Sequence, residues 1–285
     1  MIRLIISDID GTLVKEGSTE INPEYMEVIR QLADQGVAFA AASGRHSSSI
    51  DAVFHEVRNR IFYLSDNGSC IQKYGTPCHE LRLNTEDLKG YLQEALEGGD
   101  CYPLLSTAEG FFTDEKDEAF ANLIFGQYKG AGGIVENLQE YLPEGVKLSL
   151  YCLDDVKRVY ERMSGNWKEK FAINISGEKW VDINDPEATK GNAVRWLQRK
   201  LGVSREETVV FGDNFNDMSM LKQAHYSFAS ELSHPDVKAA AHYQVASWKV
   251  DGVLAVLKRI LENEEAFLAA PEGTESDTSE VNHAE

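Results

Sequence analysis

The chain has 285 residues, of which 42% are hydrophobic and 26% charged, so it has the composition of an ordinary globular protein and the length for two domains. It carries 28 lysines and arginines against 47 aspartates and glutamates, for a formal net charge of −19. So acidic a chain repels nucleic-acid backbones and anionic membranes, so we expect neither as a partner. An anionic substrate would need local compensation by a cation, a lysine or helix N-termini.

Several other classes of protein are disfavoured by simple sequence features. No apolar run approaches the ~18 residues needed to span a bilayer, and the N-terminus lacks the length and cleavage site of a signal peptide, so we expect a cytoplasmic protein. The four cysteines include no Cys-x-x-Cys pair, which argues against structural zinc and a disulfide framework. Residues 271–285 hold five acids and no lysine or arginine, and we expect a disordered acidic tail there. The oligomeric state is left open.

The first part of the chain alternates strand and helix signals. Leu4–Ser7 is a short apolar run that predicts a buried strand, and Asn22-Pro23 marks the start of an amphipathic helix. Two further apolar runs, at residues 37–42 and 61–64, predict strands separated by a second helix. Alternation of this kind implies right-handed crossovers and a parallel sheet.

The middle of the chain follows a different pattern. Between residues 84 and 185, β-rich runs mix with helical stretches, which predicts an inserted α+β domain with a more antiparallel sheet. Its aromatic residues Phe112 and Trp180 could face the crevice, but we expect them to lie in the apolar core of that domain. The alternating pattern then returns at a helix that begins with Lys190. The sequence therefore predicts an α/β fold in which residues 1–83 and 186–270 form a doubly wound parallel sheet.

Polar clusters stand where the predicted strands end or a helix begins. Because the carboxyl ends of parallel strands meet in one crevice, these side chains are expected to converge. Three carboxylates suit a hard cation such as Mg²⁺, and a carboxylate in line with phosphorus can act as a covalent nucleophile. A serine hydroxyl and a lysine ammonium suit phosphoryl oxygens. The clusters are Asp8 with Asp10, Ser43 with Gly44, Lys190 with Gly191, and Asp213 with Asn216 and Asp217.

Each cluster taken alone also has an ordinary structural interpretation. Asp10-Gly11 is a common turn dipeptide, and Ser43 could simply cap a helix. Lys190 could be a solvated helix lysine, and Asp213 could form a turn with side-chain hydrogen bonds to the backbone. Their occurrence together, in order and in the right strand context, favours a functional site.

The set resembles the haloacid dehalogenase (HAD) superfamily, and most closely its Cof-type phosphatases of subclass IIB. Those proteins have a Rossmann-like core and a large α/β cap inserted between the second and third motifs. One departure affects the pocket edge, because residues 228–232 replace the Gly-Asn-Ala turn that such chains often carry. The resemblance covers about residues 1–262 and rests on Asp8–Leu13, Ala42–Arg45, Lys190-Gly191 and Gly212–Asp217, with Asp66–Gly68 and Asp251–Val253 as further matches.

The resemblance implies roles for the acidic residues. Asp8 would be the nucleophile that forms an aspartyl-phosphate. Asp10 would protonate the leaving oxygen and then activate water. Mg²⁺ would be held by the carboxylates of Asp8 and Asp213 and by the backbone carbonyl of Asp10.

The resemblance also implies a phosphate-binding group. Ser43, with the adjacent Gly44, and Lys190 would hold the phosphoryl oxygens, and Asn216 would add a donor. Asp217 would orient Lys190 or metal-bound water. Two nearby residues, Arg45 and Asn67, are left open between organising a loop and touching the substrate.

The implied function is a Mg²⁺-dependent phosphatase of small phosphorylated metabolites, such as sugar phosphates or phosphorylated cofactors. A hexose phosphomutase with the same acids is an alternative, and a non-catalytic metabolite-binding protein on the same scaffold is another. The inserted domain is expected to act as a lid, with hinges near residues 82–86 and 184–188. The sequence does not choose the substrate, because specificity lies in that domain.

Overall fold

The computed structural model describes residues 1–127 and 131–262, which form two β-sheets with helices packed against them. The predicted tail at 271–285 lies outside these residues. In chain order the strands are β1 (Leu4–Ser7), β2 (Ala38–Ala42), β3 (Ile61–Ser65), β4 (Cys70–Lys73), β5 (Thr76–Glu80), β6 (Cys101–Ser106), β7 (Phe111–Thr113), β8 (Gly132–Ile134), β9 (Lys147–Cys152), β10 (Ala172–Gly177), β11 (Trp180–Asn184), β12 (Thr208–Gly212), β13 (Tyr226–Ser230) and β14 (Tyr243–Val245). The α-helices are α1 (Glu24–Asp34), α2 (Ser47–Phe54), α3 (Thr85–Glu97), α4 (Glu118–Ala121), α5 (Val156–Trp167), α6 (Lys190–Leu201), α7 (Met218–Leu221), α8 (Pro235–Ala240) and α9 (Gly252–Leu261).

The larger sheet has eight strands in the order β14-β13-β12-β1-β2-β3-β4-β5. The strands from β14 to β3 run parallel, as the alternating pattern predicts. The antiparallel hairpin β4–β5 extends this sheet beyond β3. The sequence did not predict the hairpin because β5 is mostly exposed and has no apolar run.

Both faces of the larger sheet are covered by helices, as in a doubly wound fold. Ile5 belongs to an apolar cluster that includes Leu257 of α9, whereas its neighbours Leu4 and Ile6 belong to a second cluster with Leu197 of α6. Successive side chains of a strand point to opposite faces, so β1 is buried on both sides. The predicted α/β fold is confirmed.

The smaller sheet has six strands in the order β10-β11-β9-β6-β7-β8, and all of its pairings except β7–β8 are antiparallel. Helices α3 and α5 pack against one face through a separate apolar cluster. Phe112 packs against that cluster and stacks on Tyr141, as expected. Trp180 packs against a second apolar cluster of the same domain, and its half-buried ring also lines a cavity.

Within the described residues, no helix has the length and apolar character needed to cross a membrane.

Candidate active site

Asp8 lies directly after β1, at the carboxyl edge of the larger sheet. Because β1 pairs with β12 on one side and β2 on the other, the segments that follow these three strands are neighbours. The backbone N–H of Asp8 donates to the carbonyl oxygen of Phe211 at 3.0 Å, which continues the pairing past the end of the strand. The Asp8 side chain is buried.

Lys190 brings a buried ammonium to the same edge from the first residue of α6. Its Nζ lies 2.5 Å from Asp8 Oδ1 and 2.6 Å from Asp217 Oδ1. Burial disfavours the ammonium, but the charges of Asp217 and Asp8 outweigh that effect and raise the pKa of Lys190. The helix starts here because the Thr189 side chain accepts a hydrogen bond from the backbone N–H of Asn192.

Three carboxylates crowd around this ammonium. Asp8, Asp213 and Asp217 each offer one oxygen, and these oxygens all lie within 4.8 Å of one another. Burial and the charge of Asp217 raise the pKa of Asp8, and the same two causes raise the pKa of Asp213 to about 6. Asp8 Oδ2 is buried without a hydrogen-bond partner. Crowded carboxylates around an unpartnered buried oxygen fit a hard divalent cation such as Mg²⁺.

Asp217 is fixed by the turn that follows β12. Its Oδ2 accepts hydrogen bonds from the backbone N–H groups of Asp213 and Asn214, at 2.9 and 3.0 Å. Its Oδ1 faces Lys190. Both oxygens of this fully buried side chain are therefore engaged by the protein, which suits a positioning residue better than a metal ligand.

Asp213 is held against the first motif. Thr12 Oγ1 donates to Asp213 Oδ1 at 2.8 Å. Gly11 adopts a φ of +79°, and a Cβ placed there would lie only 2.3 Å from Asp213 Oδ2. A glycine is therefore required for the two motifs to approach this closely.

Asp10 is engaged by Arg45. The guanidinium Nε lies 2.7 Å from Asp10 Oδ2, and one terminal nitrogen lies 2.5 Å from Asp10 Oδ1. The same nitrogen donates to the Ser18 carbonyl oxygen, and the Gly17 N–H donates to Asp10 Oδ1. Arg45 therefore organises the loop that follows Asp10.

The expected phosphate-binding residues lie around the same opening. Ser43 is buried, and its hydroxyl accepts a hydrogen bond from the backbone N–H of Arg45 at 3.1 Å. Asn216 Nδ2 donates to Asn67 Oδ1 at 3.0 Å, and the Asn67 side chain lies against Gly44. Asn67 therefore links the third strand to the last motif.

One cavity of about 860 Å³ joins these residues. Six of the eight predicted site residues line it, and Asp213 and Asp217 lie behind them in contact with Gly11 and Lys190. The six are Asp8, Asp10, Ser43, Gly44, Lys190 and Asn216.

The smaller sheet contributes polar residues that sequence reasoning missed. Lys147 Nζ lies 2.6 Å from Asp66 Oδ1, and Asn184 Nδ2 donates to Ser69 Oγ at 2.9 Å. Asp182, on the same strand as Asn184, lines the cavity. No local spacing marks these residues, because the contacts join segments about 80 or more positions apart in the chain.

Comparison with known proteins identifies the family. The sequence model of haloacid dehalogenase-like hydrolases matches residues 5–257. The chain belongs to the haloacid dehalogenase-like hydrolase family. The predicted HAD membership is thus confirmed, and the protein is an enzyme of the hydrolase class.

Relatives of this HAD protein span nearly its whole length. It is 27% identical over 271 residues to 5-amino-6-(5-phospho-D-ribitylamino)uracil phosphatase YbjI of Escherichia coli strain K12, covering 93% of this chain and 98% of the relative. It is 23% identical over 286 residues to phosphatase YwpJ of Bacillus subtilis strain 168, covering 91% and 100%.

Solved structures agree with the fold. The crystal structure of a Eubacterium rectale protein matches with a TM-score of 0.85 at 29% identity, covering 91% of this chain and 99% of that chain. The HAD subclass IIB sugar phosphatase BT4131 matches with a TM-score of 0.73 at 22% identity, covering 90% and 98%, so it supports the shared fold.

Proposed function

We propose that this protein is a Mg²⁺-dependent phosphatase that hydrolyses phosphomonoesters of small metabolites through an aspartyl-phosphate on Asp8. The observation that carries the proposal is the buried Asp8 carboxylate, with Oδ2 unpartnered and Oδ1 held by Lys190. Two relatives that are named phosphatases support the reaction class.

Asp8, Asp213 and the backbone carbonyl of Asp10 would hold the Mg²⁺. When bound, the ion supplies positive charge that offsets the repulsion between the Asp8 carboxylate and the phosphate dianion. The donor set fits this role because its carboxylates are crowded and outnumber the nearby ammonium.

The reaction follows from the placement of the side chains. The Asp8 carboxylate attacks phosphorus, the bond from phosphorus to the leaving oxygen breaks, and Asp10 donates a proton to that oxygen. Lys190 and Ser43 stabilise charge on the phosphoryl oxygens. Asp10 then takes a proton from water, the water oxygen attacks phosphorus, and the bond to Asp8 breaks to release phosphate.

We also propose that residues 84–185 form a lid over residues 1–83 and 186–262. Strands β10 and β11 of the smaller sheet line the same cavity as Asp8 and Lys190, with residues that include Asn174 and Asn184. Closure would exclude bulk water and bring side chains of the smaller sheet to the leaving group. Hinges are proposed near residues 82–86 and 184–188.

Phosphate release from phosphorylated sugars and cofactors, measured with Mg²⁺ and with EDTA, tests the proposal. We expect release that needs Mg²⁺. Isomerisation of a hexose 1-phosphate without release would instead indicate a phosphomutase, and binding without turnover would indicate a metabolite-binding protein.

A further inference from the structure

One face of the smaller sheet is directed at the part of the protein that contains the larger sheet. In the antiparallel register, Asn184 pairs with Lys147 and Asp182 pairs with Ser149, so these four side chains share a face. Lys147 contacts Asp66, and Asn184 contacts Ser69, in the segment between β3 and β4 of the larger sheet. These contacts show that the shared face points toward the larger sheet. Asp182 stands next along β11, followed on the same face by Trp180.

A second cavity of about 530 Å³ continues from the catalytic one under this face. The two share Gly44, Arg45, Ser176 and Asp182, so the second cavity is open to the leaving group of a phosphate held at Asp8. Its walls include Leu104, Phe111 and Trp180. Its volume and its mainly apolar lining suit an organic leaving group of metabolite size.

The cations around this second cavity are already neutralised by partners. Arg45 is paired with Asp10. Lys147 is paired with the fully buried Asp66 at 2.6 Å. His46, which also lines the cavity, has its pKa lowered chiefly by burial, so its ring is neutral at neutral pH.

Asp182 has no such partner. No hydrogen bond or ion pair engages its carboxylate within residues 1–127 and 131–262. Burial disfavours the Lys147 ammonium, but the charges of Asp66 and Asp182 outweigh that effect and raise its pKa, so this ammonium, already paired with Asp66, lies near the Asp182 carboxylate without forming an ion pair with it. The cavity that would receive the leaving group therefore carries one uncompensated negative charge, close to apolar walls where charges interact strongly.

We propose that Asp182 is a specificity-determining residue that favours phosphomonoesters with an uncharged or cationic leaving group and rejects those with a second anionic group. Its carboxylate would accept hydrogen bonds from hydroxyl or N–H groups of the leaving group and repel a carboxylate or a second phosphate. This inference rests on the proposed phosphatase function, and it concerns the selection of substrates rather than the phosphoryl transfer.

A matched pair of esters isolates the charge. Glucitol 6-phosphate and 6-phosphogluconate differ only in a hydroxymethyl or a carboxylate group at the end remote from phosphate. Each is used as a competitor against the hydrolysis of acetyl phosphate, so that neither needs to be a good substrate. We expect 6-phosphogluconate to compete at least about tenfold more weakly than glucitol 6-phosphate with the natural sequence.

The Asp182→Asn variant should bring the two inhibition constants to within about threefold, because the amide keeps the shape and removes the charge. Asp154→Asn is the matched control, since the Asp154 carboxylate is 78% exposed and lies outside the cavity lining; it should keep the natural ratio. Suppose that acetyl phosphate is hydrolysed. The inference would then be overturned if the ratio of the two inhibition constants were the same in the natural protein and in Asp182→Asn, or if neither ester competed. Failure to hydrolyse acetyl phosphate or any phosphomonoester would overturn the proposed function and the inference with it.

Discussion

The ammonium of Lys190 lies 2.5 Å from Asp8 Oδ1, and both side chains are buried. The same ammonium faces Asp217, and Asp213 completes the group of acids. One buried ammonium is therefore surrounded by three carboxylates. That excess of carboxylates is the physical reason to expect a divalent cation at this point of the sheet.

Removing the Lys190 charge should destabilise the fold as well as abolish activity. Lys190→Met keeps much of the side-chain volume but leaves buried carboxylates without their counter-charge, at a cost of about 3 kcal/mol in the free energy of unfolding. Urea unfolding at pH 8 in EDTA measures this. Lys200→Met, on the exposed end of the same helix, is the control. A loss no larger than that of the control would contradict the account of a compensating ammonium.

The two-point contact of the Arg45 guanidinium with the Asp10 carboxylate should affect kcat more than KM. Arg45→Lys keeps the positive charge but not the two parallel contacts, so Asp10 loses its fixed orientation. We expect kcat to fall about tenfold or more with a smaller change in KM. Steady-state kinetics on one ester measures both constants. An unchanged kcat would show that Asp10 is oriented by other groups.

Metal binding should depend on Asp213. Mg²⁺ at about 100 times its Kd should stabilise the natural protein by about 2.7 kcal/mol, and Asp213→Asn should lose most of that gain. The side-chain carbonyl oxygen of the variant could still accept the hydrogen bond that Thr12 now donates, so the turn should persist. Thermal unfolding with and without Mg²⁺ is the measurement, with Asp154→Asn as control. Equal stabilisation of all three proteins would place the ion elsewhere.

The burial of His46 should make the free energy of unfolding depend on pH. Its Nδ1 accepts a hydrogen bond from the Ser48 N–H, and its Nε2 contacts the Thr107 carbonyl oxygen, next to the smaller sheet, at 2.9 Å. Burial lowers its pKa, with a smaller opposing effect from Asp66 and a smaller reinforcing effect from Lys147. A lowered pKa in the folded state contributes stability that is present above about pH 6.5 and lost as pH falls through the folded value.

The His46→Asn variant tests this dependence, because asparagine can still cap α2 but does not titrate. Between pH 7.5 and pH 5.0, the natural protein should lose more stability than the variant, because the unfolded chain takes up a proton at His46 more readily than the folded one. Urea unfolding at the two pH values gives the comparison. Parallel losses in the two proteins would assign the pH dependence to other groups.

The sequence predicts the strand-end motifs well, for a physical reason. Asp8, Ser43 and Asp213 each follow a buried parallel strand, and the edge at which such strands end is fixed by the fold. Asp182 and Trp180 could not be found this way. They lie on an antiparallel strand whose face toward the cavities depends on tertiary contacts, so the sequence does not show that Trp180, which packs within the inserted domain, also lines the second cavity.

The contact between Arg45 and Asp10 could not be predicted from the sequence either. Its neighbour Ser43 is placed by the end of β2, but the reach of the guanidinium to Asp10 spans 35 positions and depends on how two loops approach each other. The hairpin β4–β5 escaped prediction because its second strand is exposed and polar. The sequence pattern therefore predicts which strand ends form the site, whereas tertiary packing determines which side chains come into contact there.

The most direct test of the central claim is phosphate release by Asp8→Asn beside the natural protein, with Mg²⁺ and with EDTA. We expect release that requires Mg²⁺ and falls at least about a thousandfold in the variant, while circular dichroism shows the same folded state. Retention of more than about a tenth of the activity, a loss of less than ~1.4 kcal/mol, would remove Asp8 from the role of nucleophile.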